Sequence, residues 1–181
     1  CHHHTKSLLQ LRLGDVSIQT LAWNEKITIN GVSVSLHPAG HIIGSSQVRL
    51  EYNGEVYVIS GDYKTEDDGI SGAFEPVRCH TFITESTFGL PIYHWRPQQS
   101  IFHDLQNWIR NNQVEERCSV IIGYSLGKAQ RVLKAVDEVT GNVFAHGAVW
   151  NVHQALQQAG FSLPPLNRVV PELPKETYKG A

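Results

Sequence analysis

Two Asn-Gly pairs, each set between runs of alternating apolar residues, constrain this chain more than any other feature. In "KITI-NG-VSVSL" and "VRLEY-NG-EVYVIS" they occupy Asn30-Gly31 and Asn53-Gly54. Asn-Gly accepts the two successive positive φ angles of a type I′ turn, whose twist matches that of the flanking strands. The pattern therefore predicts two tight hairpins. In the first, Ile27 and Ile29 are expected to answer Val32, Val34 and Leu36. In the second, Val48, Leu50 and Tyr52 are expected to answer Val56 and Val58. Successive hairpins build an antiparallel sheet with one face available for a core.

The rhythm changes after about residue 80. "TFITE" reads as a short buried strand. "PQQSIFHDLQNWIRNN" reads as a helix with Ile101, Phe102, Leu105, Trp108 and Ile109 on one stripe. "SVIIGYS" then reads as a strand, and "LGKAQRVLKAVDEV" as a helix with Leu126, Ala129, Val132, Leu133 and Val136 inward. "NVFAH" is a further strand, followed by a helix in "GAVWNVHQALQQAG" that Gly160 should stop. Alternating strands and helices predict a parallel sheet with helical crossovers. The Pro-rich "LPPLNRVVPELP" is expected to be an extended connector leading out of it. The fold class is therefore α/β: two antiparallel hairpins followed by a parallel α/β lobe.

With 181 residues, 41% apolar and 18% charged, the chain has enough apolar mass for one substantial core or two small ones. No run approaches the roughly 20 apolar residues that a membrane span requires. Cys1, Cys79 and Cys118 are odd in number and widely spaced, which predicts neither a disulfide framework nor a zinc knuckle and favours a reducing cytoplasm. The net charge of −2 is uneven: residues 1–93 carry 6 basic against 10 acidic groups, and residues 94–181 carry 9 against 7. Excess carboxylate in the first part suits a cation site, whereas +2 in the second does not by itself make a phosphate-binding face.

Three polar residues stand just past three expected strands. His41 follows "VSVSL" in the Gly-containing loop "HPAGHIIGSSQ", where an imidazole can reach a cleft or simply be solvated. Asp62 follows the second hairpin in "VISGDYKTEDD", as a metal-bridging carboxylate or as a turn-former. Glu85 ends "FITE". One histidine and one aspartate do not complete a catalytic zinc site, which takes three protein ligands beside its water. His37, earlier in the same loop sequence as His41, is expected to pack or to hydrogen-bond. "HHH" at His2 to His4 reads as a loop, the mouth of a helix, or a tag remnant.

The segments "HPAGHIIGSSQVRL", "VYVISGDYKTEDD" and "FITESTFGLPIY", in this order and spacing, resemble the β-CASP branch of the metallo-β-lactamase superfamily. "GYSLGKAQRVL" and "VFAHGAVWNV" resemble its helical part, and "SGDYKTE", "ESTFGLPIY" and "LGKAQR" look most like the DNA ligase-associated exonucleases, which stand beside messenger-RNA 3′-end-processing nucleases. The resemblance implies a metal role for His41 and a bridging role for Asp62 between two zinc ions, with manganese as a substitute. It implies a supporting carboxylate at Glu85, which orients the ligands without being one. It places the HxHxDH motif upstream of Cys1 and the later histidine motifs beyond Ala181. Residues 1–93 are then part of a metallo-β-lactamase domain and residues 94–181 part of a β-CASP domain, and the isolated chain is expected to be inactive.

The implied function is zinc-dependent phosphodiester hydrolysis on single-stranded or nicked DNA, in a repair setting linked to DNA ligase and helicase. The sequence leaves open two alternatives: an RNA-processing nuclease of the same branch, and a catalytically inactive nucleic-acid-binding or scaffold module. Weaker candidates for nucleic-acid contact are Ser125, Gly127 and Lys128 at one strand-to-helix turn, His146 at another, and Trp95 and Arg96 with Tyr93 in "PIYHWRP". Asp67 and Asp68 are expected to form a solvated turn.

Overall fold

The structure is a computed structural model that describes residues 1–181. It divides into two compact units, Cys1–Tyr93 and His94–Ala181. The first opens with a 3₁₀ turn over His3–Thr5 and helix α1 (Lys6–Leu13). Five strands follow: β1 (Lys26–Ile29), β2 (Val32–Pro38), β3 (Ser46–Tyr52), β4 (Glu55–Ile59) and β5 (Thr81–Ile83), arranged side by side in chain order. Both hairpins form. Asn30, Gly31, Asn53 and Gly54 all have positive φ, between 49° and 83°, as a type I′ turn requires.

The two-residue loops set the register. In the first hairpin Ile27 faces Val34 and Ile29 faces Val32, as the pattern predicts. The second differs from expectation by one residue. Its turn pairs Tyr52 with Glu55, which places Leu50 opposite Tyr57 and Val48 opposite Ile59. Val56 and Val58 lie instead opposite Glu51 and Arg49, on the other face of the sheet. The two apolar sets are out of phase because a one-residue offset exchanges the faces of a strand. Val56 and Val58 are buried there, whereas Tyr57 and Ile59 are exposed.

The face carrying Val56 and Val58 also carries Ser35, His37 and Gln47, all buried. Part of the segment between β4 and β5 supplies partners for His37 and for the Gln47 amide nitrogen, whereas Gln47 Oε1 is buried without one. His37 Nδ1 lies 2.9 Å from Glu75 Oε1, and its Nε2 lies 3.1 Å from Ser35 Oγ. The Gln47 amide donates to the Pro38 and Glu75 carbonyls, at 2.9 and 2.7 Å. β5 pairs parallel with β4, and its side chains are exposed. "TFITE" is therefore an edge strand rather than a buried one, because nothing pairs beyond it.

The second unit contains α2 (Gln98–Val114), α3 (Lys128–Val136), β6 (Phe144–Ala145), α4 (Gly147–Gln158) and β7 (Asn167–Arg168). Gln106 and Gln113 of α2 donate to the Ala135 and Val139 carbonyls and so set its buried side, where Ile109 lies. Ile101 and Trp108 sit on the order of 100° round the helix from that side and are exposed, so the expected stripe is narrower than its apolar residues suggest. Gly160 stops α4 as predicted. Its φ is +91°, its N–H bonds the Gln157 carbonyl, and the Phe161 N–H bonds Leu156, the pattern of a Schellman motif.

The expected parallel sheet is reduced to β6 and β7. "SVIIGYS" is not a strand: no neighbouring strand supplies it with a ladder, and Val120 and Ile122 are 73% and 95% exposed. The Pro-rich segment does not simply lead away, because its Asn167 and Arg168 return to pair with Phe144 and Ala145. No helix is long and apolar enough to cross a membrane.

His153 of α4 is 1% exposed and both its ring nitrogens lack partners. Burial pushes its pKa below the usual 6.5. Below about pH 7 the unfolded chain takes up a proton that the folded chain refuses, so this residue costs stability as pH falls towards its lowered folded value. His153→Leu should therefore raise the thermal midpoint more at about pH 5.5 than at about pH 8. An equal gain at both would show that the imidazole's titration plays no part.

Candidate functional site

Strand direction brings the three candidate residues to one edge. β2 and β4 are each antiparallel to β3, and β5 is parallel to β4, so β2, β4 and β5 run the same way. Their C-terminal ends share one edge of the sheet, and His41, Asp62 and Glu85 follow those ends by three, three and two residues. β2 and β4 are separated by β3, roughly 9–10 Å apart at ordinary strand spacing. The loops must lean together over the start of β3 if His41 is to meet Asp62.

They do so through the backbone. The Lys64 N–H donates to the Ala39 carbonyl at 3.0 Å. Gly40 beside it has φ +72°, and a Cβ built there would lie 2.3 Å from the Lys64 carbonyl oxygen. Only glycine permits both that conformation and that approach. The loop then closes on itself: the His41 and Ile42 N–H groups donate to Ser45 Oγ at 3.1 and 3.2 Å. Gly44, with φ +79°, is pressed against Thr5, whose hydroxyl donates to its carbonyl at 3.0 Å. The result places His41 Nε2 3.6 Å from Asp62 Oδ2, both side chains reaching solvent.

Beyond Asp62 the turn is held by Asp68. The expectation of a solvated pair holds for Asp67, which is exposed, but not for its neighbour. The Asp68 carboxylate is buried and accepts from the Ile70 and Ser71 N–H groups and from the Ser71 hydroxyl, with Lys64 Nζ 4.0 Å away. A carboxylate that closes a turn from within needs those donors, since an unpaired buried charge would be costly. Glu85 accepts the Thr87 N–H at 2.6 Å. That bond and the Thr87 hydroxyl hold its carboxyl below the usual range, and the nearby His41 adds to the effect.

The weaker candidates lie at sites already engaged. Gly127 N–H donates to Gln130 Oε1, and the Ser125 carbonyl accepts from the same side chain. Lys128 Nζ lies 5.1 Å over the Tyr124 ring. His146 caps α4, its Nδ1 accepting the Ala148 N–H at 3.2 Å. Arg96 pairs with Asp104 at 2.7 Å, and Trp95 is exposed. Sequence reasoning did not identify Ser45 and read Asp68 only as part of a solvated turn, yet both shape the His41 and Asp62 loops. The serine four residues after His41 in "HIIGSS" was the available sign of a closed loop.

An imidazole nitrogen and a carboxylate oxygen suit zinc or another borderline divalent metal. Two ligands on one tetrahedral zinc stand about 3.3 Å apart, close to the separation of His41 Nε2 and Asp62 Oδ2. In kind the pair fits a metal centre; in number it is short of the three protein ligands such a centre takes. Gly40→Ala should separate the pair, because the added Cβ meets backbone and the φ angle is strained. We expect it to destabilise the first unit by about 2–5 kcal/mol. In a urea titration that measures both variants, Gly54→Ala, strained in φ but with open space around the new Cβ, should cost only about 1–2 kcal/mol.

No protein-family model matches the chain. Among curated proteins it is similar to a probable DNA ligase of Opitutus terrae, 29% identical over 169 residues, or 91% of this chain and 16% of the relative. It is also similar to the endoribonuclease YSH1 of Yarrowia lipolytica, 26% identical over 143 residues, 78% of this chain and 16% of the relative. A third relative is the cleavage and polyadenylation specificity factor subunit 3 of Dictyostelium discoideum, 29% identical over 126 residues, 67% of this chain and 16% of the relative. The chain thus spans about one sixth of the length of these relatives. Among solved structures, a protein of unknown function from Enterococcus faecalis V583 superposes with a TM-score of 0.60 at 16% identity, over 96% of this chain and 47% of that one, a likeness of fold. At 26–29% identity these relatives, a probable DNA ligase and endoribonucleases, are of the kinds that the β-CASP resemblance of the sequence implies.

Proposed function

We propose that this chain supplies part of the active site of a zinc-dependent nuclease of the β-CASP type, acting on DNA in the manner of a ligase-associated exonuclease. The observation that carries the reading is the approach of His41 Nε2 to Asp62 Oδ2, at a sheet edge that also receives Glu85. In this reading residues 1–93 are part of a metallo-β-lactamase domain and residues 94–181 part of a β-CASP domain. The protein works in the cytoplasm, where the free thiols of Cys1, Cys79 and Cys118 persist.

His41 and Asp62 would be the chain's contribution to a two-zinc site. Such ions, when bound, polarise a phosphodiester and make hydroxide available near neutral pH. At 3.6 Å the imidazole and carboxylate are too far apart for a good mutual hydrogen bond, which leaves their lone pairs available for ligation. The second oxygen of the Asp62 carboxylate would serve the neighbouring ion in the bridging role read for it. Glu85, kept ionised and fixed by Thr87, would keep negative charge near the His41 imidazole and support the site without being a ligand.

The similarity to a probable DNA ligase extends over 169 residues and supports DNA as substrate. An RNA substrate is the second reading, favoured by the endoribonuclease relatives. The test is to incubate the full-length protein with zinc or manganese and end-labelled single strands of DNA and RNA of one sequence. DNA should be shortened from an end. Asp62→Asn and His41→Ala should each lower the rate by at least about 100-fold, and Glu85→Gln by about 10- to 100-fold, with the fold retained. Cleavage of RNA alone would overturn the DNA assignment. An undiminished rate in Asp62→Asn would overturn the metal role.

A further inference from the structure

We propose that His2, His3 and His4 form a second transition-metal site, separate from His41 and Asp62 and taking a borderline divalent ion such as zinc through imidazole nitrogens. The three rings meet in one cluster, with centroids 3.9, 4.4 and 4.3 Å apart, and one nitrogen from each lies within 4.8 Å of the others. Ligands on one tetrahedral zinc stand about 3.3 Å apart, so small ring rotations close the set around an ion. Water completes the shell.

The cluster is built rather than loose. His2 is fully buried and stacked on Trp23 at 3.5 Å with the rings 9° from parallel. Its Nε2 is buried without a hydrogen-bond partner, the kind of polar atom that a folded protein ordinarily satisfies. Its Nδ1 accepts the His4 N–H in a long 3.3 Å bond. Capture of an ion by Nε2 moves the ring proton to Nδ1 and gives up that weak bond in exchange for the metal's. The backbone is fixed on both sides: the His3 N–H bonds the Leu21 carbonyl, the Thr5 N–H bonds the His2 carbonyl, and Thr5 is tied to Gly44. A bare run of three histidines must be ordered by the ion, whereas this one is ordered beforehand. The link to Gly44 joins the cluster to the loop that carries His41, so an ion here would stiffen that loop.

The experiment is calorimetric titration of zinc into the 181-residue chain carrying Cys1→Ser, His41→Ala and Asp62→Asn. These changes remove the neighbouring thiol and the other candidate centre, so the outcome does not depend on the proposed nuclease site. One equivalent of zinc should bind at least about tenfold more tightly than it binds the free peptide of residues 1–6 with the same Cys1→Ser change. Adding His3→Ala, which alters an exposed side chain, should weaken binding at least about tenfold. Copper(II) should quench the fluorescence of Trp23, and Trp23→Phe should remove that part of the signal. Affinity equal to the free peptide's, or unchanged by His3→Ala, would overturn the proposal.

Discussion

The hydrogen bond from the Lys64 N–H to the Ala39 carbonyl is the contact on which the candidate site depends. It joins loops that leave two strands separated by a third, and it requires the chain at Gly40 to pass against backbone with no side chain between. His41 and Asp62 are close because their backbones are held, not because their side chains attract: at 3.6 Å and in solvent an imidazole and a carboxylate contribute little on their own. The arrangement is pre-organised for a ligand that would otherwise have to order both loops.

The sheet supports this contact from below. Its covered face holds a set of buried polar groups, with His37 between Ser35 and Glu75 and with Gln47 bonded to the Pro38 and Glu75 carbonyls. The same carbonyl of Pro38 also accepts the Glu75 N–H. These bonds anchor the segment after Asp62 along the end of β2, immediately before Ala39 and Gly40. Asp68 closes the intervening turn from within. Apart from Gln47 Oε1 its members are paired, and each bond to Glu75 requires one path of the loop, which makes the network a specific fastening.

The second unit rests on different contacts. Side-chain amides of α2 donate to carbonyls at the end of α3, and a buried glutamine, Gln130, closes the turn that begins α3. The turn that begins α3 thus spends free amides internally, and the capping by His146 does the same for α4. His153, buried with both ring nitrogens unpartnered, is a cost there.

Much of this was legible in the chain. Asn30-Gly31 and Asn53-Gly54 determined the turns and with them the hairpins, because few other pairs accept two positive φ angles in succession. The apolar spacing and Gly160 determined α2, α3 and α4 to within a few residues. The placement of His41, Asp62 and Glu85 after strand ends was also readable. The sequence could not say which apolar set of the second hairpin would be buried, because loop length and register decide that jointly. Nor could it show that "SVIIGYS" would find no partner, since strand formation depends on a neighbour that local pattern does not encode. The meeting of His41 with Asp62 and the gathering of His2, His3 and His4 were decided only in three dimensions, because each depends on backbone contacts between segments distant in the chain, Lys64 with Ala39 and His3 with Leu21.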